Sequence, residues 1–257
     1  MPIGHSFIEL KSVDSSNNYA MGKVHAGKAF HGTIFFAHEQ LAGKGQRGKT
    51  WSSSPGDNIV MSTVLEPVFL PITQQFSLSV VVALACHDFY SRHAGAEETR
   101  IKWPNDLYWR DRKAGGILIE NSFRGDQWLF AIAGTGININ QVQFPDDLRN
   151  PVSLRQITGR SFSAVDLARE LGDCLERRFE QLRTEGGTGF SSSASRSGST
   201  SLLEEYNARL YRQGKSTRLR KDQTVFETLI KSVSPAGELI TLDSLERRFT
   251  FGEVEWV

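Results

Sequence analysis

The sequence predicts an α+β protein, with helices packed on a mixed or antiparallel sheet and a small all-β module after them. Short apolar and β-branched segments are joined by brief Gly- or Asp-rich connections, which is typical of sheet neighbours linked by turns. The segments 72–93 and 163–182 instead repeat apolar residues at helical spacing and are long enough to favour helices. After residue 208 the chain alternates between short strands and Gly- or Pro-containing turns, which predicts the terminal module.

The elements of the first half begin with a predicted strand at 7–13. The polar run 14–17 (DSSN) follows it, and because such side chains cap helix N-termini, we predict that a helix begins there. A Gly-rich stretch at 43–48 separates two predicted strands, and the long helix then precedes three more strands. These five strands are predicted at 33–37, 58–65, 100–103, 116–123 and 128–139.

The second half contains the amphipathic helix 163–182, for which Ser163 is the predicted cap. Residues 185–201 are rich in Gly, Ser and Thr and predict a flexible loop or linker. A short helix is predicted at 202–211, and four strands follow at 216–220, 225–232, 238–243 and 248–256. We therefore predict a main domain at 1–208 and a small β domain at 209–257.

The composition is that of an ordinary folded protein, with 39% hydrophobic and 23% charged residues among 257. Lys plus Arg (30) nearly balances Asp plus Glu (29), so no global positive charge favours DNA as a partner. The longest apolar run, 80–86, is too short to span a bilayer, and the N-terminus does not resemble a signal peptide. We expect a soluble, cytoplasmic protein with no membrane partner, and we expect Cys86 and Cys174 to be small buried hydrophobes.

The stretch 43–50 (GKGQRGKT) matches both the dinucleotide G-x-G-x-x-G pattern and the P-loop G-x-x-x-x-G-K-[ST] pattern. Either pattern holds phosphates only where a helix begins at the last glycine. Here the turn sequence WSSSPGD and then a strand follow, so we predict no helix at Gly48 and disfavour a P-loop protein. Its glycines and its cations Lys44, Arg47 and Lys49 could still fold over an anionic ligand, although a solvated basic hairpin is the alternative.

Three further segments have features of a ligand site. Lys102, in IKWPND, lies on a predicted strand whose exit is stiffened by Pro104, so its ammonium would point in a fixed direction. The segments 114–118 (AGGIL) and 134–138 (GTGIN) place glycines on or beside strands, which permits a ligand to approach the backbone closely. Each segment alone could be sheet architecture and nothing more.

Together and in this order, these motifs resemble the biotin protein ligase family, and the resemblance runs over nearly the whole chain. It implies the class II synthetase-like biotin/lipoate ligase fold with a small C-terminal SH3-like β-barrel. Many bacterial members that repress transcription carry a helix-turn-helix before the catalytic domain, whereas this chain begins at its first strand. The resemblance is therefore to a short form without the DNA-binding domain, and no DNA binding is expected. Lipoate ligases share the fold, but the KWPND and GKGQRG segments resemble the biotin branch.

The resemblance implies an ATP-dependent ligase that activates biotin to biotinyl-5′-AMP and transfers it to a lysine of a biotin carboxyl carrier protein. Biotin and ATP would be the substrates, and Mg²⁺ would come with the ATP phosphates rather than occupy a site built by the protein. The alternatives are a lipoate-type acyl ligase of the same fold, a P-loop nucleotide hydrolase, and a binding module without turnover. A monomer and a homodimer are both open.

The site residues follow from the resemblance position by position. Biotin contacts are implied for Ser15, Ser16, Asn17, Gln40, Gly43, Lys44, Gly45, Gln46, Lys102, Gly115 and Gly116. Contacts with ATP or the adenylate are implied for Lys44, Gly45, Gln46, Arg47, Trp51, Lys102, Asn105, Lys113 and Asn138. Lys102 and Arg47 are the candidate catalytic residues. Cations are needed because a carboxylate and a phosphate at about 4 Å repel by ~1 kcal/mol in water and ~4 kcal/mol at a protein-like dielectric.

The loop departs from the family pattern at two positions. Lys44 and Gln46 stand where arginine is common in the family. A lysine keeps the charge but lacks the bidentate guanidinium, and a glutamine lacks the charge as well. We therefore expect this chain to retain its adenylate less tightly than relatives with more arginine in the loop.

Overall fold

The computed structural model describes residues 1–185 and 201–257, so most of the linker predicted at 185–201 lies outside the described residues. A seven-stranded sheet has the order β1-β2-β3-β7-β6-β5-β4, with β1 and β2 parallel and every other neighbouring pair antiparallel. Its strands are β1 (Phe7–Leu10), β2 (Ile34–Ala37), β3 (Ile59–Leu65), β4 (Thr99–Lys102), β5 (Asp106–Trp109), β6 (Arg112–Arg124) and β7 (Gln127–Ile137). The mixed sheet predicted from the sequence is confirmed.

The helices cover both faces of this sheet. They are α1 (Ser16–His25), α2 (Gln75–Ala94), α3 (Leu154–Thr158), α4 (Ala164–Thr184) and α5 (Leu202–Ala208). Successive side chains of β2 point to opposite faces of the sheet, so the core has two parts. Ile34 belongs to the large cluster under α2 and α4, whereas Phe35 packs with Ala20 of α1. The α1 face carries the smaller cluster and is the face on which the polar site lies.

The caps of two predicted helices differ from each other. Ser163 caps α4 as predicted, because its Oγ accepts a hydrogen bond from the Asp166 amide at 3.3 Å. A helix does begin within the run 14–17, but the capping prediction is wrong, since Ser15 at the N-cap position makes no side-chain cap hydrogen bond. The next two side chains, Ser16 and Asn17, are directed toward the sheet and bond there.

The C-terminal module is a five-stranded antiparallel sheet of order β11-β10-β9-β8-β12. Its strands are β8 (Ser216–Lys221), β9 (Thr224–Val233), β10 (Leu239–Leu242), β11 (Glu246–Phe249) and β12 (Glu255–Trp256). The strand predicted at 248–256 is two strands, because Gly252 with φ 90° forms a turn between them. The edge strands β11 and β12 do not pair with each other, so this sheet does not close into the barrel that the resemblance implied.

Cys86 and Cys174 are buried and unbridged in α2 and α4, as expected from the sequence. Burial raises the pKa of both thiols, so neither is a reactive thiolate. Among the described residues, no helix combines the length and the apolar character that a membrane crossing requires.

Candidate active site

The Gly-rich segment forms a hairpin. Lys44 and Thr50 form an antiparallel bridge, and the Gly45 amide donates to the Lys49 carbonyl at 2.6 Å. The tip is a single 3₁₀ turn, Gln46–Gly48, in which Arg47 has φ 55°. Extended chain follows the turn, so the prediction that no helix begins at Gly48 is confirmed. The hairpin lacks the helix N-terminus through which a P-loop holds phosphates.

One cross-strand row joins Lys102 to the glycine strands. Lys102 of β4 pairs with Asp106 of β5, which pairs with Gly116 of β6, which pairs with Gly136 of β7. Directly opposite residues in antiparallel strands present their side chains to the same face of the sheet. The Trp51 indole covers both glycines from that face, since a Cβ on Gly116 would lie 3.4 Å from it and one on Gly136 would overlap it. Lys102 and the base of the hairpin therefore lie on the same face.

At the strand glycines, protein groups make the close approach that the sequence analysis predicted for a ligand. Trp51 lies against Gly136, and the amide of Asn17 lies so close to Gly134 that a Cβ there would overlap it. Gly115 is packed more tightly, because its Cβ would lie 2.7 Å from the carbonyl oxygen of Gly136. These positions tolerate no side chain without displacing a site residue.

A buried polar network occupies the same face beside the hairpin. Asn17 Nδ2 donates to Glu120 Oε2 at 2.7 Å, and Asn17 Oδ1 accepts from Ser62 Oγ at 2.6 Å. Ser62 Oγ also lies 2.8 Å from Ser16 Oγ, which donates to Gln40 Oε1 at 3.0 Å. The neutral members of the network are buried or half-buried, so their partners fix their orientation.

This network unites three predicted biotin residues with two that the sequence analysis missed. Ser16, Asn17 and Gln40 were predicted, and Ser15 lies next to them, buried at the N-cap of α1. Ser62 and Glu120 were missed. A signal for both was present, because Ser62 interrupts the apolar strand NIVMSTVL and Glu120 places a charge in the strand GGILIEN.

A cavity of about 420 Å³ opens between the hairpin and β6. This volume lies within the roughly 300–1,000 Å³ that is usual for small-molecule sites. Lys44 Nζ spans its rim to Glu120 Oε1 at 3.4 Å, which connects the cavity to the polar network. The cavity is lined by Ala42, Gly43, Lys44, Gly45, Gly48, Lys49, Thr50, Leu118 and Glu120.

Lys102 is enclosed by aromatic side chains. Its Nζ donates to the Tyr108 hydroxyl at 3.0 Å, and it lies 4.6, 5.2 and 5.8 Å from the ring centroids of Tyr108, Trp256 and Tyr211. Burial lowers the pKa of the Lys102 ammonium to about 8, against the opposing attraction of Asp106. The carboxylate of Asp106 is itself paired with Lys113 at 2.7 Å.

Other predicted residues lie elsewhere. The Arg47 guanidinium donates to the Gly252 carbonyl at 3.3 Å and faces the Phe251 ring, so it contacts the C-terminal module. Gln46 lines a second cavity of about 310 Å³ together with Asn105, whose amide donates to the Ile117 carbonyl at 2.7 Å.

Asn138, predicted near the nucleotide, is buried at the end of β7. Its amide donates to the carbonyls of Val152 and Lys113 at 3.2 and 3.4 Å. The side chain therefore holds the backbone next to the Lys113–Asp106 pair. Within residues 1–185 and 201–257, His, Cys, Asp and Glu form no cluster of three or more that could hold a metal ion.

Comparison with known proteins gives a consistent family. The model of the biotin/lipoate A/B protein ligase family matches residues 9–138. A biotin--[acetyl-CoA-carboxylase] ligase of Paracoccus denitrificans is 33% identical over 184 residues, which are 69% of this chain and 74% of that protein. The bifunctional ligase/repressor BirA of Escherichia coli is 33% identical over 183 residues, 69% of this chain and 56% of that protein. The chain spans about half the length of the bifunctional relatives it matches.

Solved structures share the fold over almost the full length. The biotin protein ligase from Aquifex aeolicus in complex with biotin and ATP has a TM-score of 0.75 at 21% identity, covering 98% of each chain. The Leishmania major biotin protein ligase in complex with biotin has a TM-score of 0.61 at 23% identity, covering 96% of this chain and 98% of that one. At these identities the likeness confirms the α+β architecture with its C-terminal sheet.

Proposed function

This chain belongs to the biotin/lipoate A/B protein ligase family, and on that premise we propose that it is an ATP-dependent biotin protein ligase. It activates biotin to biotinyl-5′-AMP and transfers the biotinyl group to a lysine of a biotin carboxyl carrier protein, in the cytoplasm. Residues 1–208 bind biotin and ATP, and residues 209–257 form the small β domain.

The observation that carries this proposal is the common face of Lys102, the hairpin and the buried polar network. A cyclic urea has two N–H donors and one carbonyl acceptor, and hydroxyl and amide groups such as those of Ser16, Asn17 and Gln40 can match both. Biotin carries its urea and its carboxylate at opposite ends. A urea bound at the network therefore leaves the carboxylate free to extend along the sheet toward the row that contains Lys102.

In the first half-reaction a carboxylate oxygen of biotin attacks the α-phosphorus of ATP. The bond from that phosphorus to the β-phosphate oxygen breaks, and pyrophosphate leaves with the electron pair. The Lys102 ammonium offsets the repulsion between the two anions by lying beside the attacking oxygen and the α-phosphate. Mg²⁺ bound to the ATP phosphates would neutralise part of their charge.

In the second half-reaction the neutral ε-amine of the carrier lysine attacks the acyl carbon of the adenylate. The amide bond forms, AMP leaves, and the amine loses a proton. The adenylate is a mixed anhydride that water would hydrolyse, so it needs a cover between the two steps. The hairpin 43–50 supplies that cover, since it borders the cavity and its glycines allow its backbone to move.

The test is to incubate the purified chain with biotin, ATP, Mg²⁺ and a biotin carrier domain, and then to measure the mass of the carrier by mass spectrometry. We expect the carrier to gain one biotinyl group, and we expect biotin-dependent release of pyrophosphate even without the carrier. A carrier with its acceptor lysine changed to arginine is the control for the transfer step, and lipoate in place of biotin tests the substrate. Modification with lipoate but not with biotin would contradict the proposal.

A further inference from the structure

Three aromatic rings from separate parts of the chain converge on the Lys102 ammonium. Tyr108 lies on β5, Tyr211 follows α5, and Trp256 is the last residue of β12 in the C-terminal module. The rings also contact each other, with centroid distances of 5.0 Å between Tyr108 and Tyr211 and 5.7 Å between Tyr211 and Trp256. We refer to Tyr108, Tyr211 and Trp256 as the aromatic cage.

We propose that Trp256 is a positioning residue for Lys102, so that the last strand of the C-terminal module completes the adenylation centre of the main domain. This inference rests on the proposed function, because it assigns the cage to biotin activation. It goes beyond that function by giving a specific catalytic task to the C-terminal module.

The physical reason is the flexibility of the lysine side chain. A free lysine stem carries about 2 kcal/mol of rotamer entropy and holds a strongly hydrated charge. A ring face attracts the ammonium by roughly 0.5–2 kcal/mol, depending on exposure, and excludes water from one side of it. The cage together with the Tyr108 hydroxyl therefore restricts Lys102 before any substrate binds.

Trp256 is itself held firmly enough to perform this task. It pairs with Leu219 of β8, and the Val257 amide next to it donates to the Arg218 carbonyl at 3.1 Å. Its carbonyl accepts from Arg149 at 3.4 Å. The indole Nε1 is buried and has no hydrogen-bond partner among the described residues, and the ring face of the indole is what meets the Lys102 ammonium.

The same terminal segment holds the second candidate cation. Gly252, in the turn before β12, accepts the hydrogen bond from Arg47, and Phe251 faces the Arg47 guanidinium. Glu255 attracts Arg47 and Lys49 as well. Residues 251–256 thus contact both candidate catalytic cations, Lys102 and Arg47.

The cage also predicts a pH dependence. Burial lowers the pKa of Lys102 to about 8, so the side chain loses its proton and its charge as the pH rises through 8. If Trp256 is replaced by a smaller residue, water reaches the ammonium, and its pKa rises toward the ordinary lysine value of about 10.4, because the relief of desolvation outweighs the lost attraction of one ring face. Charged or titratable groups that face Lys102 or its cage are Asp106, Tyr108, Asp111, Lys113, Arg149, Tyr211 and Arg212.

The first experiment compares Trp256→Leu with Trp256→Phe, which keeps an aromatic ring. We measure kcat and KM for biotin-dependent ATP–pyrophosphate exchange, and kcat/KM for ATP from neutral pH to about pH 10. We expect Trp256→Leu to lower kcat about tenfold at neutral pH with little change in the KM for biotin, and to move the alkaline limit upward by about one pH unit. Trp256→Phe is expected to retain most of the wild-type kcat and the wild-type pH above which activity is lost.

The second measurement does not depend on activity. In protein labelled with ¹³C-lysine, the Cε resonance of Lys102 is assigned by its absence in Lys102→Arg and titrated in the wild type and in Trp256→Leu. We expect a midpoint near pH 8 in the wild type and a higher midpoint in the variant. Far-ultraviolet circular dichroism and thermal unfolding establish that both variants fold.

Coincident Lys102 midpoints in the wild type and in folded Trp256→Leu overturn the inference, whether or not the chain makes adenylate. An equal loss of kcat in the Leu and Phe variants, with an unchanged alkaline limit, assigns Trp256 a purely structural role and also overturns it. A wild-type chain that releases no pyrophosphate with biotin, but shows the shifted midpoint, overturns the proposed function and the assignment of the cage to this reaction. The two failures are therefore distinguishable.

Discussion

The two ends of the candidate site are built from different parts of the chain and by different forces. The end proposed for biotin is a network of neutral hydrogen bonds and one carboxylate, formed by α1, β3, β6 and Gln40. The charged end places Lys102 among rings from β5, the segment after α5 and β12. Directional hydrogen bonds hold the polar groups in place at one end, whereas desolvation and ring faces hold a point charge at the other.

Because different forces hold the two ends, substitutions at them should impair different steps. Loss of a hydrogen-bond partner at the biotin end leaves a buried polar group unsatisfied, which weakens ground-state binding of biotin. Loss of the cation at the charged end removes an interaction that strengthens as charge develops in the transition state, which lowers kcat. A substitution at the first end should therefore change the KM for biotin, and one at the charged end should change kcat.

The largest effect is expected for Lys102→Ala. Without the ammonium, the repulsion between carboxylate and α-phosphate is offset only in part, and we expect adenylate formation to fall by about 100-fold or more. The KM for biotin should change far less. Pyrophosphate release measures both quantities.

Lys221→Ala is the matched control, because Lys221 also lies over an aromatic ring, that of Phe249, but belongs to the outer part of the C-terminal sheet. Near-normal turnover in Lys102→Ala contradicts the assigned role.

A smaller effect, at the opposite end, is expected for Gly134→Ala. The added methyl group would overlap the Asn17 amide and push it away from Ser62 and Glu120. We expect a free energy of unfolding lower by about 1–3 kcal/mol. We also expect biotin binding to weaken by about tenfold, which is about the loss of one satisfied hydrogen bond at a buried site. Isothermal titration with biotin measures the binding.

Gly22→Ala is the control for that variant, because it lies in α1 with nothing within 4 Å of the added Cβ. Helix propensity predicts a gain in stability of roughly 0.5–1 kcal/mol there and unchanged biotin binding. If Gly134→Ala lowered kcat and left biotin binding intact, the division of the site into a binding end and a charged end would be wrong.

The same contrast explains how much of the molecule could be predicted from the sequence. The long helices and most strands were predictable, because their apolar periodicity repeats over many residues. The strand β5 (Asp106–Trp109) was missed because it is short and directly follows a Pro-Asn turn. The helix α3 (Leu154–Thr158) was also missed, although its capping box of Ser153 and Gln156 was a readable signal.

The candidate site was likewise only partly predictable from the sequence. The sequence predicted Ser16, Asn17, Gln40 and Lys102, and the structure brings the first three into one network. The sequence could not predict that the Trp256 ring lies against Lys102, because no local pattern indicates a contact between residues so distant along the chain. The register of the row from Lys102 to Gly136 was likewise set by long-range pairing that periodicity alone does not specify.

The smallest effect is expected for Gln46→Arg, which tests the hairpin that lies between the two ends. Gln46 Oε1 is buried without a hydrogen-bond partner among the described residues, and its side chain lines the second cavity rather than the first. An arginine would add a fixed charge to the cover over an anionic adenylate. We expect the adenylate to dissociate several-fold more slowly, on the scale of one partly exposed charge-assisted hydrogen bond. Release of radiolabelled adenylate in rapid filtration measures the rate. Gln127→Arg, at the exposed first residue of β7, is the charge-matched control. Equal dissociation rates in Gln46→Arg and the wild type would mean that the charge of the hairpin tip does not govern retention, and that closure by the backbone alone covers the intermediate.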